Sequence, residues 1–170
     1  MRPMTPPLRI GVIGAADATP TGKDAAYAVG RALGLAGAVI VCGGGGGVME
    51  AASEGASSEG GLVIGFLPGS DPRASSDGVA IPVATGLGEM RNALIVRASE
   101  ALIVIEGGWG TLNEAALCMK IGRPLVGVLD SLGDRFPIER FEEPRAAVAR
   151  ALELASARRH SDGEADHTTG

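Results

Sequence analysis

Three glycine-rich turns, one arginine and one glutamate hold most of the chemistry open to this sequence. The first turn covers residues 14–22, beginning at Gly14 and including Asp17. The second is the unbroken run Gly43, Gly44, Gly45, Gly46, Gly47. The third reads Glu106-Gly107-Gly108-Trp109-Gly110-Thr111-Leu112-Asn113-Glu114. Glycines let backbone N–H groups approach an oxyanion with no Cβ in the way, and a following helix N-terminus adds partial positive charge. A helix dipole alone stabilises an anion by only about 0.3–1 kcal/mol, so several N–H donors must share a phosphate. The glycine run is no Walker loop, because no Gly-Lys-Ser/Thr follows it, and five consecutive glycines fit almost any G-x-G-x-x-G spacing. A tight strand-to-helix turn packed on a neighbour is the competing reading.

Thr111 stands three residues before Glu114, the Thr-x-x-Glu spacing of a capping box. A capping box accounts for these two residues but not for Gly107, Gly108 and Gly110 just before them. A carboxylate one turn into a helix whose mouth faces a ligand has another use: it orients a water or stabilises a cationic sugar transition state. One rotamer cannot serve both. Arg91, in the stretch Glu89-Met90-Arg91-Asn92, carries a planar five-donor fork suited to phosphate or carboxylate. A solvated arginine, or a pair with Glu89 or Glu114, is the ordinary alternative. Trp109 has the ring to wall a base pocket by stacking, against a plain exposed or core tryptophan. At Gly14 and Asp17 a turn with an Asx-type bond is preferred to a ligand contact.

Short apolar runs alternate with helix-like stretches, which predicts an α/β fold: a three-layer, doubly wound parallel sheet, Rossmann-like, in a single domain over residues 1–158. Strands are expected at 8–13, 39–42, 62–67, 101–105 and 125–129, the last of them, with a weaker one at 79–83 that Pro82 demotes to an edge. Helices are expected at 23–35, 48–59, 89–99, 111–121 and 145–158, with a disordered tail over 159–170. The strands are continuously apolar, as they are when helices cover both sheet faces. Ligands of such sheets bind beyond the carboxyl ends of the strands, where all three glycine turns fall.

Composition narrows the function. Fifteen Lys+Arg against twenty Asp+Glu give a net charge of −5, which argues against nucleic acid or an anionic membrane as partner. Cys42 and Cys118 form no C-x-x-C pair and read as small core residues; His160 and His167 both lie in the polar tail, so no metal is expected. No signal peptide is legible and the apolar runs are far shorter than the ~20 residues of a membrane span, so the expectation is a soluble cytoplasmic protein. A lysine decarboxylase needs a Schiff-base lysine, and Lys23 and Lys120 both read as helix-surface residues. The apolar stripes of the helices at 89–99 and 111–121 exceed what one sheet face covers, which predicts a homodimer.

Residues 43–56 (GGGGGVMEAASEGA), the pair Arg91-Asn92 and the segment Gly-Gly-Trp-Gly-Thr-Leu-Asn-Glu at 107–114 together resemble the LONELY GUY (LOG)-like superfamily, long mislabelled lysine decarboxylases. The resemblance covers roughly residues 8–129. It implies hydrolysis of the N-glycosidic bond of a nucleoside 5′-monophosphate to free base and ribose 5-phosphate. Arg91 and Glu114 match the catalytic residues, and Gly108, Gly110 and Thr111 match the phosphate-binding turn. The phosphate would sit on the N–H groups of residues 108–111 and of Gly44–Gly47, with Glu114 stabilising the growing ribose cation or activating water, and with no metal or redox cofactor. Two departures stand out: Glu106 where the enzymes have proline, and Asn92 where they have lysine. The Arg-Asn pair is more similar to a second branch that includes molybdenum-cofactor carrier proteins. In that reading the ligand is a phosphorylated pterin, held without bond cleavage, and Glu114 is a helix cap. The resemblance also implies a homodimer.

Overall fold

The computed structural model describes residues 5–166. Seven strands form one sheet: β1 (Arg9–Gly14), β2 (Val39–Cys42), β3 (Val63–Leu67), β4 (Ile81–Ala84), β5 (Ala101–Ile105), β6 (Leu125–Val128) and β7 (Glu139–Phe141), in the order β4-β3-β2-β1-β5-β6-β7. Every neighbouring pair is parallel. The helices are α1 (Pro20–Leu35), α2 (Val48–Ser58), α3 (Asn92–Ala98), α4 (Trp109–Ile121) and α5 (Pro144–Asp166).

The pleat sends alternate strand residues into two cores. Ile10 and Val12 of β1 and Ile103 and Ile105 of β5 pack with α1, α2 and α5. Ile13, Leu102 and Val104 pack on the other face with Ile95 and Val96 of α3 and Ala115 and Cys118 of α4. All of these strand side chains are essentially inaccessible to water. Continuously apolar strands are therefore the signature of a sheet covered on both faces, and the architecture is the three-layer, doubly wound one that the pattern predicts.

Several element boundaries differ from expectation. Helix α1 starts at Pro20 rather than residue 23, because Thr19 caps it: its hydroxyl accepts the Gly22 N–H at 3.0 Å, and a proline is well placed at a first helical position. The expected helix at 89–99 divides into a 3₁₀ turn, Gly88–Arg91, followed by α3. Residues 125–129 do not hold the last strand. A three-residue strand, Glu139–Phe141, adds β7 beside β6; with two charges in three residues it carries no apolar run to read.

Helix α5 continues through Asp166, past the expected end at Arg158. Arg159, expected in a disordered tail, donates to both carboxylate oxygens of Glu100 at 2.6 and 2.7 Å and to the carbonyl of Pro7 at 3.0 Å. Glu100 also accepts the Arg9 N–H at 2.8 Å, so one carboxylate ties α5 to the start of β1. Of the expected tail, residues 167–170, His167 among them, lie outside the described residues. No helix among the described residues is long and apolar enough to cross a membrane.

Candidate ligand-binding site

Chain order reverses at the β1/β5 pair. From β1 the sheet grows one way through β2, β3 and β4, and from β5 the other way through β6 and β7. The connections therefore diverge at the carboxyl ends of these two strands and leave a crevice. Gly14, the last residue of β1, pairs with Ile105, the last of β5. A cavity of about 260 Å³ opens there, lined on one side by Gly14, Ala15 and Ala16 and on the other by Gly108, Gly110, Thr111 and Glu114, with Arg91, Asn92 and Met49 closing it.

The N-terminus of α4 forms one wall. Gly108 is the N-cap residue, with no side-chain capping bond. Leu112 N–H makes the first intrahelical bond, to the Gly108 carbonyl at 3.0 Å, which leaves the N–H groups of Trp109, Gly110 and Thr111 without intrahelical acceptors. Cβ atoms built at Gly108 and Gly110 would meet nothing within 4 Å, so the approach to these amides is open. The capping box is overturned. Thr111 is the third helical residue rather than the cap, and both it and Glu114 are buried.

Arg91 and Glu114 enter the crevice from different elements. Glu114 is only 7% exposed; burial raises its carboxyl to about pH 7, with the positive charge of Arg91 pulling the other way. At that value the side chain carries a proton for about half the time at neutral pH. Arg91, at the end of the 3₁₀ turn, donates from Nη1 to Asn92 Oδ1. Its Nε is buried with no hydrogen-bond partner among the described residues. Gly43 leaves room for the guanidinium: a Cβ there would lie 2.9 Å from Arg91 Nη2.

The other motif residues take different places. Glu106, whose charge would oppose a phosphate in the turn, points elsewhere. Its carboxylate accepts the Thr19 N–H at 3.0 Å and the Thr19 hydroxyl, at the N-terminus of α1. Gly107 turns the chain with φ 149°, and a Cβ there would sit 2.6 Å from Thr111 Cβ. Of the glycine run, Gly44, Gly45, Gly46 and Gly47 are not in the cavity lining. Gly44 packs against Leu67, Gly45 lies beside Met49, Gly46 is exposed and Gly47 lies against the carbonyls of Ala15 and Ala16. Val48 N–H, at the start of α2, donates to the Ala15 carbonyl at 2.9 Å. Trp109 stands outside the crevice, 87% exposed, in a neighbouring groove of about 740 Å³ along α3 and α4. Cys42 and Cys118 are buried, and burial pushes both thiols up.

The chain as a whole is similar to known proteins. A family model described as the SLOG cluster4 family matches residues 7–157. The chain belongs to the SLOG cluster4 family. Its motifs thus sit in the LOG-like, molybdenum-cofactor carrier-like superfamily that they resemble. An uncharacterized protein of Archaeoglobus fulgidus is 41% identical to this SLOG cluster4 chain over 144 residues, 83% of the chain and 92% of that protein. The molybdenum cofactor binding protein of Rippkaea orientalis superposes with a TM-score of 0.82 at 34% identity, covering 89% of this chain and 99% of that one. The molybdenum cofactor carrier protein MCP of Chlamydomonas reinhardtii gives 0.78 at 31% identity, with the same coverage.

Asn113 was invisible to sequence reasoning as a site residue. Its Oδ1 accepts from Asn92 Nδ2 at 3.1 Å, a contact between positions 21 residues apart that no local pattern announces. Ala15, Ala16 and Met49 carry no chemical signal at all; only the meeting of the β1–α1 loop with α2 places them at the crevice.

Proposed function

We propose that this SLOG cluster4 chain is a binding protein for a phosphorylated pterin-type ligand, molybdenum cofactor or a close relative, and that it holds the ligand as cargo. The observation that carries the proposal is the convergence of the unpaired first-turn N–H groups of α4 with the Arg91 guanidinium on one crevice. Phosphate needs several short-range donors and one cation, and these residues supply both. At about 260 Å³ the crevice is smaller than the roughly 300–1,000 Å³ of ordinary ligand pockets, so it takes the phosphate end and leaves the ring system at its mouth. The likeness to the Rippkaea and Chlamydomonas proteins supports the pterin over other phosphorylated ligands. Equilibrium dialysis of the purified protein against molybdenum cofactor, with inorganic phosphate and AMP as competitors, tests it. Binding that phosphate and AMP both weaken is expected, and no retention of the cofactor refutes it.

A second reading, hydrolysis of the N-glycosidic bond of a nucleoside 5′-monophosphate, is favoured by one observation: the buried Glu114 carboxyl, raised by loss of water, lies in one crevice with Arg91. In this reading the phosphate seat positions the ribose, and ionised Glu114 stabilises its growing positive charge or takes a proton from the attacking water. Free adenine released from AMP, and lost in Glu114→Gln with AMP binding retained, separates the enzyme from the carrier. Under either reading the molecule works as a homodimer in the cytoplasm, paired through the exposed α3–α4 face.

A further inference from the structure

The hydrogen bonds that hold Arg91 begin on α4 itself. Asn113, on the second turn of α4, accepts from Asn92 Nδ2 at 3.1 Å, and Asn92 Oδ1 in turn accepts from Arg91 Nη1. We infer that Asn113 is a positioning residue: acting through Asn92, it sets the Arg91 guanidinium against the α4 amides, with a neutral hold that leaves the cation free for an anionic ligand. The inference rests on the anion-binding reading above.

The chemistry of the three side chains leaves one arrangement. A guanidinium has donors only, so it must meet the oxygen of the Asn92 amide and not the nitrogen. The Asn92 NH₂ then needs an acceptor, and at 4% exposure it cannot turn to water. The Asn113 oxygen meets that need and so selects the Asn92 orientation; without it, the amide gains by turning its NH₂ elsewhere, and Arg91 loses its anchor. On the far side the bare Gly43 backbone confines the guanidinium. The neutrality of the hold matters as much as its geometry. A carboxylate in place of Asn92 would pair with Arg91 and cancel the charge that the ligand needs. A lysine there would accept nothing and repel it. Because Asn113 and the open N–H groups belong to one rigid helix, the relay fixes cation and amides in a common frame.

The test measures the affinity of the full chain for AMP and for inorganic phosphate by titration calorimetry. Asn113→Leu keeps the volume and removes the acceptor; it is expected to weaken AMP binding about tenfold. Asn113→Gln keeps a neutral acceptor oxygen at this exposed position and is expected to restore most of the affinity. Asn113→Leu leaves the buried Asn92 amide without its acceptor, so its thermal midpoint should fall by a few degrees, while the variant that keeps the acceptor should stay near the parent. In an Arg91→Met background, Asn113→Leu is expected to cost nothing further, as required of a residue that acts only through Arg91. Unchanged AMP affinity in Asn113→Leu, or an equal loss in the Arg91→Met background, overturns the inference while leaving the anion seat intact. A parent chain that binds neither probe overturns the anion seat and this inference together.

Discussion

The Glu106 carboxylate accepts the backbone N–H of Thr19 at 3.0 Å, tying the turn after β5 to the residue that caps α1. In the same residue the backbone takes φ 55°, and its N–H donates to Ser131 Oγ at 2.8 Å. Proline has φ fixed near −65° and no N–H. Glu106→Pro is therefore expected to destabilise the fold by about 3 kcal/mol or more, and calorimetry should show the midpoint falling by roughly 10 °C. Glu106→Gly, which tolerates the backbone angle, should fall by less.

Gly110 separates stability from binding. A Cβ there meets nothing within 4 Å and α4 is regular at that position, so Gly110→Ala should stabilise the protein by about 0.5–1 kcal/mol. The same methyl intrudes on the crevice beside the open amides. Phosphate and AMP affinity should fall while resistance to urea rises, an opposition that a denaturation curve and a binding isotherm reveal together.

Glu114 makes the fold and the site sensitive to pH. Its carboxyl is raised from 4.5 to about 7, so between these values the unfolded chain loses a proton that the folded chain retains. Stability contributed at low pH is therefore lost as pH rises toward 7, by an amount on the order of 3 kcal/mol. Glu114→Gln should match the parent near pH 4.5 and exceed it at pH 8 in thermal melts. An anion bound nearby raises the carboxyl further, so phosphate affinity should decline as pH passes from 6 to 8. That decline should flatten in the Gln variant.

The α3–α4 face leaves Met90 76% and Trp109 87% exposed in the single chain. Light scattering is expected to give twice the chain mass of 17.1 kDa, and Met90→Glu should shift the distribution toward one copy. Trp109 is the one tryptophan of the sequence, so its emission should move to longer wavelength when the pair dissociates.

Much of this was legible because it is local. The apolar runs at residues 8–13 and 101–105 announce strands covered on both faces, and the glycine turns at their carboxyl ends mark the edge where the crevice opens. Arg91, Glu114, Gly108, Gly110 and Thr111 could thus be singled out from residue type and spacing. The Thr111–Glu114 spacing misled, because a capping box depends on where the helix begins, and Gly108 caps it three residues before Thr111. Strand β7 escaped because edge pairing with β6, rather than its own composition, makes it a strand.

The sequence alone determined the layered sheet and the strand ends at which its glycine turns fall, since periodicity and glycine placement act over a few neighbouring positions. Only the tertiary structure decided that Glu106 turns toward Thr19, that Gly44–Gly47 lie outside the crevice lining, and that Asn113 bonds Asn92, which in turn bonds Arg91. Those outcomes depend on which oxygen and which N–H meet across elements far apart in the chain. Burial does the rest, moving the Glu114 carboxyl to about pH 7 through a loss of water that no spacing of letters records.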